Sequence, residues 1–175
     1  FCFLFFILFE TFIPGLFIRL FRIKVDEGEY EVSIKDKGFF NHLLFFTLYR
    51  PSLMLVGIIP LVPLRLRFLK LVGLTIGKDS MIAGTELIDE PYAVIIGDNT
   101  LIGGYTMIYT HLSFKKMINK KIRIGSNCFI GNKSVIFPGA IIEDDVIVKP
   151  GSVVLEDQVL KKGGIYQGNP AKKIP

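Results

Sequence analysis

The chain has 175 residues, half of them apolar, with 16 Phe, no Trp, two Cys and a net charge of +5. That length suits one domain, or a domain with an appendage. Two cysteines exclude a disulfide framework and a four-cysteine zinc site. The moderate positive charge comes without a nucleic-acid-binding motif, so it points to anionic lipid headgroups or a phosphorylated ligand, and no nucleic-acid partner is expected.

In chain order, residues 1–18 are apolar apart from Glu10 and Thr11, with Pro14 and Gly15 as helix breakers. The chain opens on Phe1 without Met, so residues upstream are expected, and they would complete the roughly 20 apolar residues a bilayer span needs. Residues 25–38 form a polar connector in which 29–34 alternates like a short strand. A second apolar segment, 43–64, is long enough to span but carries Arg50, Pro51, Pro60 and Pro63, which disfavour a straight helix.

Basic residues follow both segments: Arg19, Arg22 and Lys24 after the first, Arg65, Arg67 and Lys70 after the second. Two single crossings would put these clusters on opposite sides of the membrane, against the tendency of basic flanks to stay cytoplasmic. The expectation is one span or anchor near the N-terminus and a re-entrant or interfacial second segment. Residues 1–74 would then be a membrane-anchoring helical region that holds the rest of the chain at the cytoplasmic face. The competing expectation is that residues 43–74 pack as helices on the end of the downstream domain and cap it.

Residues 75–175 have a different pattern. Ile76, Ile82 and Ile88 are six apart, as are Ile96, Ile102 and Ile108, and an unbroken run follows at Ile124, Ile130, Ile136, Ile142, Val148 and Val154. A period of six is neither a helical face nor simple alternation; it marks a solenoid of stacked short strands. Three hexads make one triangular coil, so the fold class is mainly β, a parallel β-helix of about four coils. Two extra residues near 93–95 and ten at about 114–123 interrupt the period.

The fifth residue of each hexad in the unbroken run is mostly small and is read as inward-facing: Cys128, Ser134, Ala140, Val146, Ser152, then Gln158. Glu86 and Tyr92 fall on the same position in the first coil and make it imperfect. Glycines in second position (Gly77, Gly97, Gly103, Gly125, Gly131) are read as corners where φ strain is relieved. The period does not give the hand of the helix, and the general rule for crossovers favours right-handed.

Segments such as Ile124-Gly125-Ser126-Asn127-Cys128-Phe129, the stretch from Ile122 onward, and the terminal Gly168-Asn169-Pro170-Ala171-Lys172 resemble the hexapeptide-repeat O- and N-acetyltransferases of sugars and antibiotics. The resemblance implies a left-handed β-helix, a homotrimer, acetyl-CoA as acyl donor and active sites between subunits. It places Phe129, Asn132 and Pro150 along the cofactor, and Lys172 with Lys173 at its phosphates, where cationic side chains suit the charge.

It also makes His111 the general base, since an imidazole near its ordinary pKa suits proton abstraction at neutral pH. Tyr109 and Thr110 would border the acceptor, a sugar or amine of envelope biosynthesis. The spacing Tyr109-Thr110-His111 is two residues shorter than the usual Tyr-Thr-x-x-His. The short form is similar to solenoid domains attached to membrane segments in peptide-synthetase-like proteins. No metal is expected, because the zinc site known on this fold needs three histidines and the chain has only His42 and His111. The rival to an enzyme is a non-catalytic trimeric platform that positions a membrane-bound partner.

Overall fold

The computed structural model describes residues 2–58 and 61–175; Pro60 lies outside the described residues. Three helices precede the solenoid: α1 (Cys2–Leu20), α2 (Lys37–Ile58) and α3 (Val62–Leu71). Contrary to the reading of Pro14-Gly15 as breakers, α1 runs through both, and α2 runs through Pro51. Packing offsets the lost backbone bonds. A Cβ on Gly15 would lie 2.9 Å from Leu71 Cδ2 and 3.2 Å from the Phe68 ring, so this glycine admits α1 to close contact with α3. Pro63 falls in the first turn of α3, where its missing N–H leaves no gap.

The second apolar segment caps the solenoid. Phe45, Tyr49 and Phe68 are fully buried and continuous with Ile82 and Ile88 of the first coil. The Tyr49 and Phe68 rings stack at 5.9 Å, and the Tyr49 hydroxyl donates to the Ile88 carbonyl at 2.7 Å. An open solenoid end exposes an apolar cross-section that must be covered. Among the described residues, no helix is long and apolar enough to cross a membrane. For residues 43–74 the structure takes the competing expectation, a helical cap, which accounts for their apolar character by burial against the first coil.

The two misfit residues of that coil are the ones the cap uses. Glu86 is buried beneath α3, where Arg65 Nε donates to its carboxylate at 2.9 Å and Arg65 Nη2 to its backbone carbonyl at 2.5 Å. The Tyr92 ring meets Phe45 edge-on at 4.9 Å, and its hydroxyl accepts from the Val25 N–H at 3.1 Å.

The hexad leaders stack in register on three parallel faces. Ile76, Ile96, Ile124, Ile142 and Leu160 form the first, and Ile82, Ile102, Ile130, Val148 and Tyr166 the second. The third holds Ile88, Ile108, Ile136 and Val154. Four coils are complete, as the period implies, and Leu160 and Tyr166 begin a fifth. The fifth-position residues Cys128, Ser134, Ala140, Val146 and Ser152 are buried as expected.

The role of the second-position glycines differs from the expectation. The left-handed residues sit in fourth position, at Asp79, Asn99, Asn127, Asp145 and Asp157 among others, where short polar side chains tolerate that conformation. Second-position glycines are instead required by coil-to-coil approach: a Cβ on Gly131 would lie 2.4 Å from Pro150 N. Backbone offers no easy retreat, so Gly131→Ala is expected to destabilise by about 1–3 kcal/mol in urea unfolding. Gly151→Asn, at an open fourth position with φ 70, is expected to cost far less.

The ten-residue insertion folds out as a hairpin of strands His111–Ser113 and Lys116–Asn119. Its second strand pairs antiparallel with Gly28–Glu31, so the polar connector does contain a strand, slightly upstream of the alternation that suggested it.

Candidate active site

The shorter break in the period lies between Ile88 and Ile96, with Pro91–Ala93 as a single 3-10 turn. It carries two consecutive acids inward, Asp89 and Glu90, 4% and 1% exposed. Directly above, the chain leaves the next coil after Ile108 and presents Thr110 and His111 to Glu90. His111 Nδ1 is 2.9 Å from Glu90 Oε1 and 3.1 Å from Oε2, and the aligned hydrogen bond goes to Oε2. The fully buried Thr110 hydroxyl donates to the same Oε2.

From α2 comes a residue that sequence reasoning set aside. His42 Nδ1 lies 3.0 Å from Glu90 Oε1, and its ring meets that of His111 with centroids 4.5 Å apart. Glu90 Oε1 thus touches both imidazoles but receives a well-aligned hydrogen bond from neither. Arg50, also on α2, reaches Asp89 at 3.4 Å and lies over the Phe46 ring.

The electrostatics follow from burial and these partners. Burial works against a charged His111, but the Glu90 hydrogen bond and the nearby negative charge of Glu90 and Asp89 outweigh it, and its pKa is raised. Burial likewise opposes ionised Glu90, yet the contacts from His111, His42 and Thr110 hold its pKa below the usual carboxylate value. Asp89 goes the other way, raised by burial and by the adjacent Glu90 charge. The assembly holds an ionised carboxylate against a basic imidazole, as a His–carboxylate dyad requires.

The remaining expected site residues are elsewhere. Asn132 and Pro150 stack at the corner between the second and third faces, where the Gly131 and Pro150 backbones meet. Phe129 stands outward on the adjoining second face. Lys172 and Lys173 lie exposed on the strand Lys172–Ile174, which pairs antiparallel with Ile165–Gln167 at the end of that face. His111 occupies the corner between the third and first faces. Within one chain Phe129, Asn132, Pro150, Lys172 and Lys173 thus lie on or beside the second face, and His111 lies away from it. Tyr109 packs its ring near Phe137 at 6.0 Å. Thr110 is buried and engaged with Glu90, which makes it a support for the acid rather than an acceptor contact.

His42, Glu90 and His111 each offer one donor within 4.8 Å of the others. Two histidines alone fall short of a three-histidine site, but two histidines and a carboxylate form a set that zinc also accepts. Glu90, Asp89, His42 and Arg50 all escaped sequence reasoning. The available signal was an acidic pair sitting in a break of the hexad period.

Residues 121–156 match the family model described as bacterial transferase hexapeptide (six repeats). That match covers the unbroken run of hexads and not the rest of the chain. In three dimensions the chain is similar to a maltose O-acetyltransferase from Clostridium difficile 630, with a TM-score of 0.60, 21% identity, and 85% of this chain and 91% of that one covered. It is also similar to a hexapeptide-repeat-containing acetyltransferase from Vibrio cholerae, with a TM-score of 0.59, 21% identity, and 71% and 86% covered. At such identities these two structures establish shared architecture. Among curated proteins no sequence matches the chain.

Proposed function

We propose that the chain is an acyltransferase that moves an acetyl group from CoA to a hydroxyl or amine of a sugar-like acceptor, with His111 as general base. The observation that carries this reading is the buried Glu90 carboxylate held against His111 by Thr110 and His42. A surface histidine with no chemical role has no need of a buried acid at its Nδ1. With Nδ1–H fixed on Glu90, Nε2 is left as the basic nitrogen, the tautomer that accepts an acceptor proton.

The Vibrio cholerae acetyltransferase is also known in complex with acetyl-CoA, which supports CoA as donor here. Phe129, Asn132 and Pro150 would line the pantetheine arm and Lys172 with Lys173 the phosphates. Because one chain separates these from His111, a complete site needs the cofactor wall of one subunit beside the dyad of another, as a homotrimer would provide. The acceptor hydroxyl or amine loses its proton to His111 as its heteroatom attacks the thioester carbonyl. Collapse of the tetrahedral intermediate releases CoA thiolate, which takes the proton from the imidazolium.

Calorimetry with acetyl-CoA and a CoA-release assay across sugar and amine acceptors test the proposal. Saturable binding and acceptor-dependent release are expected, unchanged by a metal chelator. No acetyl-CoA binding would leave the non-catalytic platform as the reading. Release abolished by the chelator would instead assign His42, Glu90 and His111 to a metal.

A further inference from the structure

α1 has two faces of similar apolarity but opposite fates. Ile18 turns inward, and half-buried Phe12, at the edge of the exposed face, meets the Phe68 ring edge-on at 6.5 Å. On the other side Phe5, Phe9, Ile13, Leu16, Phe17 and Leu20 are all exposed, and at 100° per residue they fall within an arc of about 120°. A contiguous apolar stripe of this length on a surface is a contact site rather than background.

At the C-terminal end of the stripe a cavity of about 450 Å³ opens between α1 and α3. Arg19, Arg22, Lys24 and Lys70 line it together with apolar side chains such as Ile18 and Leu71. Lys24 has Asp26 at 3.6 Å. Arg19, Arg22 and Lys70 form no ion pair among the described residues, so three uncompensated cations converge on one groove. Arg22 also stands at φ 50, in the position that closes α1: the Ile23 N–H donates to the Ile18 carbonyl at 3.0 Å. Helices with this ending usually place glycine there. An arginine is held where glycine would be less strained.

We infer that α1 docks the chain on an anionic bilayer surface, its exposed stripe lying among the acyl chains and the groove taking a lipid phosphate. Charge complementarity selects this occupant: a phosphate with attached hydrocarbon matches cations joined to an apolar helix face, whereas a second copy of α1 would bring the same cations together. Such interfacial binding combines apolar insertion with attraction to acidic headgroups.

Vesicle co-sedimentation of the full chain tests this, using phosphatidylcholine vesicles with and without 30% (about one lipid in three) phosphatidylglycerol, an anionic content of the kind that gives such surfaces their potential. Binding to the acidic vesicles alone, weakening with salt, is expected. Arg19→Gln/Arg22→Gly/Lys70→Gln is expected to lower partitioning by about 100-fold, at about fivefold per cation. Arg22→Gly alone relieves the backbone strain, so it should bind about fivefold more weakly while unfolding no more easily. Phe17→Asp/Leu20→Asp should lose at least about tenfold.

Equal binding to neutral and acidic vesicles, or no effect of the cation substitutions, overturns the inference. So does binding of inorganic phosphate by calorimetry with no vesicle binding, which would make the groove a site for a soluble anion. Self-association that the Asp substitutions abolish, without vesicle binding, would give the stripe to a second copy.

Discussion

His111→Ala is expected to lower kcat for CoA release by about 10²–10⁴-fold, the range that a positioned general base contributes, with little change in acetyl-CoA affinity. The split follows from geometry. His111 sits at the corner between the third and first faces, whereas the residues assigned to the cofactor lie on the second face and its far corner. Removing the imidazole therefore takes away proton abstraction and leaves the cofactor wall intact. The residual rate would come from holding thioester and acceptor together. Steady-state release assays with calorimetric binding measure both quantities, and equal turnover in variant and parent would remove His111 as the base.

The second large effect is on stability. Glu86→Gln is expected to destabilise the fold by about 3–5 kcal/mol, because it leaves Arg65 charged, buried and unpaired. Both partners lie inside the junction of cap and first coil, the pair is 2.9 Å apart, and the Glu86 carboxylate also accepts from the Gly84 N–H at 2.7 Å. The companion change Arg65→Met/Glu86→Leu removes both charges and is expected to recover most of the loss. Urea unfolding of the three proteins decides the point. A single substitution costing under about 1 kcal/mol, the value of an exposed pair, would show that water reaches the junction.

Glu86 illustrates how far the sequence could be read. The hexad period fixes which residues stack on which, so the three faces, their registers and the buried fifth positions are visible from spacing alone. A residue that violates the period shows only that something else must meet it. Glu86 and Tyr92 stood out as misfits, but their partners Arg65, Phe45 and Val25 lie in segments with no periodic relation to the solenoid. The same holds for the apolar stretch 43–64. A helix buried on a solenoid end and a helix buried in lipid need the same composition, and only the neighbouring surface separates them.

The site divides along the same line. His111 was visible because it opens the long insertion and matches a recognisable context. Glu90 was not, because a carboxylate at a loop reads as solvent-exposed unless its burial is known. His42 was least visible of all: it approaches Glu90 from α2, and no local pattern records a contact between a helix and a coil so distant in sequence. The second-position glycines were noticed for a conformational reason when the reason is steric, since coil spacing appears only once the coils are stacked.

In the proposed mechanism Glu90 tunes His111 as a base, and the pH dependence of kcat/KM for the parent and Glu90→Gln measures that tuning most directly. His111 must be neutral to accept a proton, and its pKa is raised in the folded chain. Parent activity should therefore climb with pH through a midpoint above imidazole's ordinary value of about 6.5. Without the Glu90 charge, burial dominates; the midpoint should move to lower pH while the plateau falls. A plateau and midpoint that both stay at the parent values would contradict the account.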